Sequence, residues 1–245
     1  MTTDYNAISR EYQLSKLQPW RAHIEAYSLL GLVGDLTGQS VLDVACGEGF
    51  YTRLLHGQGA ATAVGVDLSQ GMIELAREQE AARPLGIRYE VADATNMNLG
   101  TQFDVVSAAY LLNYAHNRTD LAAMCRGIAH ALRPGGRFVT VNSSPLLDFC
   151  QAPSFRKYGF ETKIAEGPTE GAPITWTFHL ANGSFSIENY FLDRQAHEEA
   201  LSAAGFREIR WHPSRLEPAG LERFGSDLWE DFLSHPPIAL IECVK

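Results

Sequence analysis

The segment at residues 41–52, VLDVACGEGFYT, constrains the fold most, together with a second apolar run, AVGVD, that ends at Asp67. Its first five residues are mostly apolar, as in a buried parallel strand, and helical spacing begins at Phe50. Gly47 and Gly49 lie in the turn between them, where the lack of a side chain lets a ligand approach the backbone. The pattern predicts a βαβ unit with a ligand-binding turn.

The residues around this turn indicate the charge of the ligand. Asp67 ends the second strand, where a carboxylate suits the two vicinal hydroxyls of a ribose. A dinucleotide-binding turn usually has a third glycine, but Thr52 occupies that position. Asp43 precedes the turn and would repel a pyrophosphate. A positively charged cofactor with a ribose therefore fits this segment better than a dinucleotide.

Four segments resemble, in order and spacing, the motifs of class I S-adenosylmethionine-dependent methyltransferases. They are DVACGEG at 43–49, Asp67, ADA at 92–94 and LRPGGRF at 132–138, and together they cover about residues 40–141. Ala45 stands where the family often has glycine. The resemblance implies S-adenosylmethionine as the cofactor and S-adenosylhomocysteine as its product. It also implies a set of cofactor-binding residues: Tyr12, Asp43, Ala45, Gly47, Gly49, Asp67, Leu68, Met72, Asp93, Ala94 and Ala109.

Helical and strand patterns alternate through the chain, which predicts a Rossmann-like, doubly wound α/β fold with a mostly parallel sheet. Strands are expected at 41–45, 63–67, 87–91, 103–109 and 137–141, and helices at 5–17, 19–33, 49–56, 69–83, 118–132 and 194–204. Ser69 is the expected N-cap of its helix. The resemblance implies a seven-stranded sheet with an antiparallel edge strand, completed by strands at 208–211 and 238–244.

A small antiparallel insertion is predicted after the parallel strands. Two segments rich in β-forming residues, 174–180 and 184–192, flank Asn182 and Gly183. This pair suits positive φ at both central positions of a hairpin turn, so the two segments are expected to form a hairpin turning there.

The length and composition indicate one catalytic domain, because 245 residues with 45% hydrophobic content can bury a sizeable core. Within it, we expect N-terminal lid helices at 1–36, a cofactor-binding core at 37–142, a substrate-covering insertion at 143–192, and a C-terminal part at 193–245 that completes the sheet. The lid and the covering role are implied by the resemblance.

Charge and residue usage limit the partners. A net charge of −9 without a basic cluster argues against nucleic acid and favours a small-molecule substrate. The four cysteines are scattered, and no histidine pair has metal-ligand spacing, so no metal is expected. The sequence shows neither a signal-peptide pattern nor an apolar stretch of about 18 residues, so we expect a cytoplasmic protein without membrane contact. The oligomeric state stays open.

The substrate is expected to be small and planar, because several aromatic residues flank the core. Aromatic residues at helical or strand spacing also commonly pack in a core, so each of them is only a candidate for substrate contact. The candidate substrate-binding residues are Tyr5, Trp20, Asn113, Tyr114, Trp176 and His179. The catalytic residue is unknown, with His116 and His179 as candidate proton acceptors.

Three functions are compatible with these observations. The preferred one is methyl transfer from S-adenosylmethionine to nitrogen, or to oxygen, of a small planar heterocyclic metabolite. An NAD(P)-dependent oxidoreductase is disfavoured by Thr52 at the third glycine position and by Asp43. A non-catalytic module that binds the cofactor stays open, because methyl transfer needs no nucleophile from the protein.

Overall fold

The computed structural model of the chain describes residues 5–165 and 167–245. Its strands are β1 Ser40–Val44, β2 Thr62–Asp67, β3 Arg88–Val91, β4 Phe103–Ala109, β5 Leu132–Ser143, β6 Phe160–Ile164, β7 Pro173–Leu180, β8 Gly183–Tyr190, β9 Arg207–His212 and β10 Ile238–Val244. Its α-helices are α1 Tyr5–Ser15, α2 Tyr27–Val33, α3 Phe50–Gly57, α4 Gln70–Ala82, α5 Arg118–Ala131, α6 Arg194–Ala203, α7 Pro218–Phe224 and α8 Ser226–Ser234.

Seven strands form one sheet in the order β3-β2-β1-β4-β5-β10-β9. The first five run parallel, and β10 pairs antiparallel with both β5 and β9 at one side of the sheet. The predicted Rossmann-like fold, with a mostly parallel seven-stranded sheet and an antiparallel strand at its edge, is confirmed. The strand order reverses between β1 and β4, and ligands of such sheets bind at this point, beyond the carboxyl ends of the strands.

Helices on both faces bury the central strands, which explains their continuous apolar sequences. Successive residues of a strand point to opposite faces of the sheet. Val41 and Val105 accordingly belong to one apolar layer, whereas Leu42 and Val106 belong to the other, and all four are fully buried.

The helix termini show where local sequence decides the structure. Ser69 caps α4 as predicted, because its hydroxyl accepts a hydrogen bond from the Met72 amide at 3.2 Å. Residues 19–33 are helical throughout, as predicted, but they are not all α-helical. Arg21–Ala26 form a π-helical segment, and α2 begins only at Tyr27. Such a segment rotates the following side chains relative to an α-helix, and it is a common feature of functional sites.

A second sheet, in the order β6-β7-β8, is antiparallel and contains the predicted hairpin. The predicted turn residues are wrong by one position, because Gly183 already pairs with Leu180 and the two-residue loop is Ala181 and Asn182. Neither of these two residues has positive φ. Strand β6 and helices α7 and α8 were not predicted from the sequence.

None of the helices in the described residues is long and apolar enough to cross a membrane.

Candidate functional site

A cavity of about 530 Å³ lies beyond the carboxyl ends of β1, β2, β3 and β4. Nine of the eleven predicted cofactor-binding residues line it: Tyr12, Ala45, Gly47, Asp67, Leu68, Met72, Asp93, Ala94 and Ala109. The first and last of these residues, Tyr12 and Ala109, are 97 positions apart in the sequence, so the fold brings distant residues together. A cavity of this size is typical of small-molecule and cofactor sites.

Two hydrogen bonds to the Asp67 carboxylate link the turn after β1 to the start of α4. One of the carboxylate oxygens accepts a hydrogen bond from the Gly47 amide, and the other accepts one from the Ser69 amide, both at 2.8 Å. Burial raises the pKa of Asp67, while these amide hydrogen bonds oppose the shift. An ionised carboxylate has about four acceptor positions, so two remain for ribose hydroxyls.

The turn itself contains three residues in left-handed conformation. Ala45, Gly47 and Gly49 have φ values of 58°, 56° and 82°. The left-handed value at Ala45 explains why glycine would be favoured at this position. Gly49 does not line the cavity, but a side chain there would collide with the ring of Tyr89. Glycine at this position is therefore required by both φ and packing.

Asp43 also lies outside the cavity lining, buried at 1% exposure in β1. Its Oδ2 accepts a hydrogen bond from the Thr52 hydroxyl at 2.6 Å, whereas Oδ1 has no partner among the described residues. Burial raises the pKa of Asp43 to about 7, against the opposing effects of the Thr52 hydrogen bond and the Lys16 charge. A further cation nearby would favour the ionised form of Asp43.

Lys16 is a buried cation near this acidic group, and sequence reasoning missed it. Its ammonium lies 4.9 Å from the ring centroid of Tyr12 and 5.0 Å from that of Tyr51. Aromatic faces attract cations at such distances. The spacing of four residues between Tyr12 and Lys16, which places both on one side of a helix, was the available signal.

A second, much smaller cavity of about 10 Å³ adjoins the first. Tyr12 and Tyr110 line both cavities, so these two side chains separate them. The predicted substrate residues Trp20 and Trp176 line only the small cavity, together with Arg21, Phe178, Ile187 and Asn189. As it stands, this volume is about that of one water probe.

A buried ion pair lies behind the small cavity. The Arg21 guanidinium donates through Nη1 to both carboxylate oxygens of Glu25, at 2.7 and 3.0 Å. Glu25 also accepts hydrogen bonds from the hydroxyls of Tyr51 and Tyr110. Burial raises the pKa of both tyrosines well above the usual value, so their hydroxyls remain donors. Tyr110, which follows β4 with a φ of 64°, was not predicted as a site residue, and neither were Arg21 and Glu25.

Three of the remaining candidates lie in the segment that follows β4. Tyr114 and His116 line the large cavity; the His116 ring lies 4.0 Å from the Tyr190 ring, and its Nδ1 lies 3.3 Å from Asp120. Asn113 is buried and lines neither cavity, and its amide has no partner in the described part of the chain.

The other two candidates do not join the site. His179 lies on β7, where its Nε2 is 2.9 Å from Glu161, and it lines neither cavity. The side chain of Tyr5 is outside the described residues.

The donor and acceptor chemistry of the large cavity fits a cationic nucleoside such as S-adenosylmethionine. Asp67 offers acceptor positions to ribose hydroxyls, and the buried carboxyl of Asp43, which does not line the cavity, favours a positive charge nearby when it is ionised. Met72, Ala94 and Met124 provide an apolar wall that suits a nucleobase. Within residues 5–165 and 167–245, no group of three or more His, Cys, Asp or Glu side chains could hold a metal ion.

Comparison with known proteins agrees with this chemistry. Residues 41–136 match a family model described as a methyltransferase domain. The chain is 31% identical to the demethylmenaquinone methyltransferase of Lactococcus lactis over 149 residues, which are 59% of this chain and 56% of that protein. It is 29% identical to the N-demethylindolmycin N-methyltransferase of Streptomyces griseus over 171 residues, which are 69% of this chain and 70% of that protein.

The match therefore spans little more than half the length of the first relative. An S-adenosylmethionine-dependent methyltransferase from Mesorhizobium loti, solved by crystallography, shares the fold with a TM-score of 0.63 and 24% identity, over 94% of this chain and all of that one. Residues 41–136 are thus similar to methyltransferase domains, and the described chain has the fold of solved S-adenosylmethionine-dependent methyltransferases.

Proposed function

We propose that this chain transfers a methyl group from S-adenosylmethionine to a nitrogen, or an oxygen, of a small planar heterocyclic metabolite. A precursor of the azapteridine toxoflavin is the first substrate candidate. The observation that carries the proposal is the junction of the two cavities at Tyr12 and Tyr110. One side of this junction suits the cofactor, and the aromatic side suits a flat acceptor.

In this proposal the cofactor is held by residues at the strand ends. Asp67 accepts from the ribose hydroxyls, and the backbone at Ala45 and Gly47 lies against the cofactor. Leu68 and Met72 pack on one side of it, and Asp93 and Ala94 contact its base. Asp43 favours a positively charged ligand.

The bound cofactor supplies an already activated methyl group. The chain then has to align the acceptor atom with that methyl, and such positioning supplies much of the rate in two-substrate reactions. The buried rings of Tyr12 and Tyr110 exclude water from the junction. For an oxygen acceptor, His116 is the candidate base, because it lines the large cavity whereas His179 does not.

The division of the chain into a lid at 1–36, a core at 37–142, a covering insertion at 143–192 and a C-terminal part at 193–245 belongs to this proposal. So do a cytoplasmic location and the absence of nucleic-acid and membrane partners. The name of the Streptomyces griseus relative, an N-methyltransferase, supports nitrogen as the acceptor.

Calorimetric titration of the full chain with S-adenosylmethionine, with reduced nicotinamide dinucleotide as the control, is the first test. We expect binding of the methyl donor only, followed by methyl transfer to a member of a planar heterocycle panel. Binding of the nicotinamide alone would favour the oxidoreductase alternative. Donor binding without turnover on any nitrogen or oxygen heterocycle would favour a non-catalytic module.

A further inference from the structure

We infer that the small cavity is the acceptor pocket and that it selects an uncharged planar heterocycle carrying hydrogen-bond acceptors on its edge, such as ring carbonyls. The N–H groups Nε of Arg21 and Nε1 of Trp176 recognise these acceptors. This inference rests on the proposed function and names the substrate class of the same site.

Two unpartnered donors carry the inference. Nε of Arg21 and Nε1 of Trp176 are both buried, and neither has a hydrogen-bond partner among the described residues. Both side chains line the small cavity. A buried donor without an acceptor is costly, and both of these groups can only donate. A ligand that brings acceptor atoms would satisfy both groups.

The ion pair fixes Arg21 and explains why the ligand is uncharged. Glu25 binds Arg21 through Nη1 and also accepts from Tyr51 and Tyr110, so its two oxygens are occupied away from Nε. Because Glu25 already balances the charge of the guanidinium, Arg21 offers no net positive charge to an anionic ligand. A neutral carbonyl accepts from Nε without requiring such a charge.

The aromatic walls explain why the ligand is planar. The Trp176 ring is nearly parallel to the rings of Phe160 and Phe178, with interplanar angles of 22° and 17°. The Arg21 guanidinium carbon lies 4.3 Å from the Trp20 ring centroid, so its plane is held as well. A flat ring can lie along the exposed edge or face of such fixed planes and keep aromatic contact. Because the cavity holds only about 10 Å³, entry requires Tyr12 of α1 to move.

The test compares two bicyclic probes by calorimetry, with and without S-adenosylhomocysteine. Lumazine is planar and has two ring carbonyls, whereas naphthalene has the same size without acceptors. We expect the full chain to bind lumazine more tightly than naphthalene. Trp176→Phe keeps the ring and removes the N–H, so the Kd of lumazine should rise about 3- to 10-fold, as for one lost hydrogen bond. The Kd of naphthalene should not change.

Trp211→Phe is the matched control, because its N–H donates to Glu198 outside both cavities and its loss should leave both Kd values unchanged. Arg21→Lys keeps the positive charge and removes Nε, so it should weaken lumazine binding in the same way. Circular dichroism verifies that each variant is folded.

Equal affinity for the two probes, or an unchanged lumazine Kd in Trp176→Phe, would overturn the inference. If the unmodified chain did not bind S-adenosylmethionine, the proposed function would be contradicted instead. The two failures are distinguishable because the probes are also titrated in the absence of S-adenosylhomocysteine.

Discussion

The two adjoining cavities are built from opposite chemistry. The large one presents acceptors, with the Asp67 carboxylate on its wall and Asp43 just behind it. The small one presents unpartnered donors among aromatic rings, and its only described ion pair, between Arg21 and Glu25, is internally balanced. A cationic cofactor and a neutral acceptor-rich ring would therefore separate into the two cavities on electrostatic grounds. On the proposed function, the polar atoms on the two sides of Tyr12 and Tyr110 would then set which ligand each cavity binds.

The largest effect is expected on the side of the small cavity. Glu25→Ala removes the shared acceptor and leaves the Arg21 guanidinium buried without its counter-ion. We expect the free energy of unfolding to fall by about 3–5 kcal/mol, as for other broken buried pairs. Urea denaturation measures this change. Glu222→Ala on the exposed surface of α7 should change it by no more than about 0.5 kcal/mol. Similar effects of the two substitutions would show that the pair does not contribute to stability.

The next effect tests the large cavity. Asp67→Asn keeps the shape of the side chain but removes its charge and replaces one acceptor oxygen, with its two acceptor positions, by a donor NH2 group. We expect S-adenosylmethionine binding to weaken by about 1.5–3 kcal/mol, which is roughly 10- to 150-fold in Kd. Glu78→Gln makes the same chemical change on the exposed face of α4 and should leave the Kd unchanged. A wild-type Kd in folded Asp67→Asn would remove Asp67 from the ribose site.

The two cavities also differ in how far sequence could predict them. The cofactor side depends on local features, such as a strand that ends in an acid and a turn that needs positive φ, so Gly47 and Asp67 could be predicted from the local pattern and the resemblance. The acceptor side depends on segments that are distant in the chain. Arg21 and Trp176 are 155 positions apart, and no periodicity links them. The π-helical segment changes which side chains of residues 21–26 face the core, and helical spacing cannot reveal that.

Packing behind the cofactor wall gives a third, smaller effect. Gly127 of α5 faces Ala94, and a methyl group there would overlap the Ala94 carbonyl oxygen. Gly127→Ala should lower the free energy of unfolding by about 1–3 kcal/mol, as in other overpacked cores, and should displace the wall of the large cavity. Gly57→Ala has open space around it at the end of α3 and should be neutral or stabilising by up to about 1 kcal/mol. Thermal unfolding of both variants distinguishes the two expectations, and equal melting temperatures would contradict close packing at Ala94.

The smallest effect is a pH dependence that belongs to the large cavity alone. Because burial raises the pKa of Asp43 to about 7, this carboxyl is mostly protonated at pH 6 in the free protein. A bound cation favours the ionised form and releases the proton, so affinity for S-adenosylmethionine should rise between pH 6 and pH 8 and level off above that. If the bound form is fully ionised, the gain is at most about tenfold. Calorimetry at a series of pH values measures it.

Two controls isolate the Asp43 contribution. Asp43→Asn cannot ionise, so its affinity should vary less with pH than that of the unmodified chain. S-adenosylhomocysteine lacks the sulfonium charge but keeps the amino and carboxylate groups, so titrations of these groups affect both ligands alike. A pH dependence that is the same for both ligands would mean that Asp43 does not sense the sulfonium. A dependence confined to S-adenosylmethionine and lost in Asp43→Asn would mean that the acidic side of the two-cavity site selects its ligand by charge.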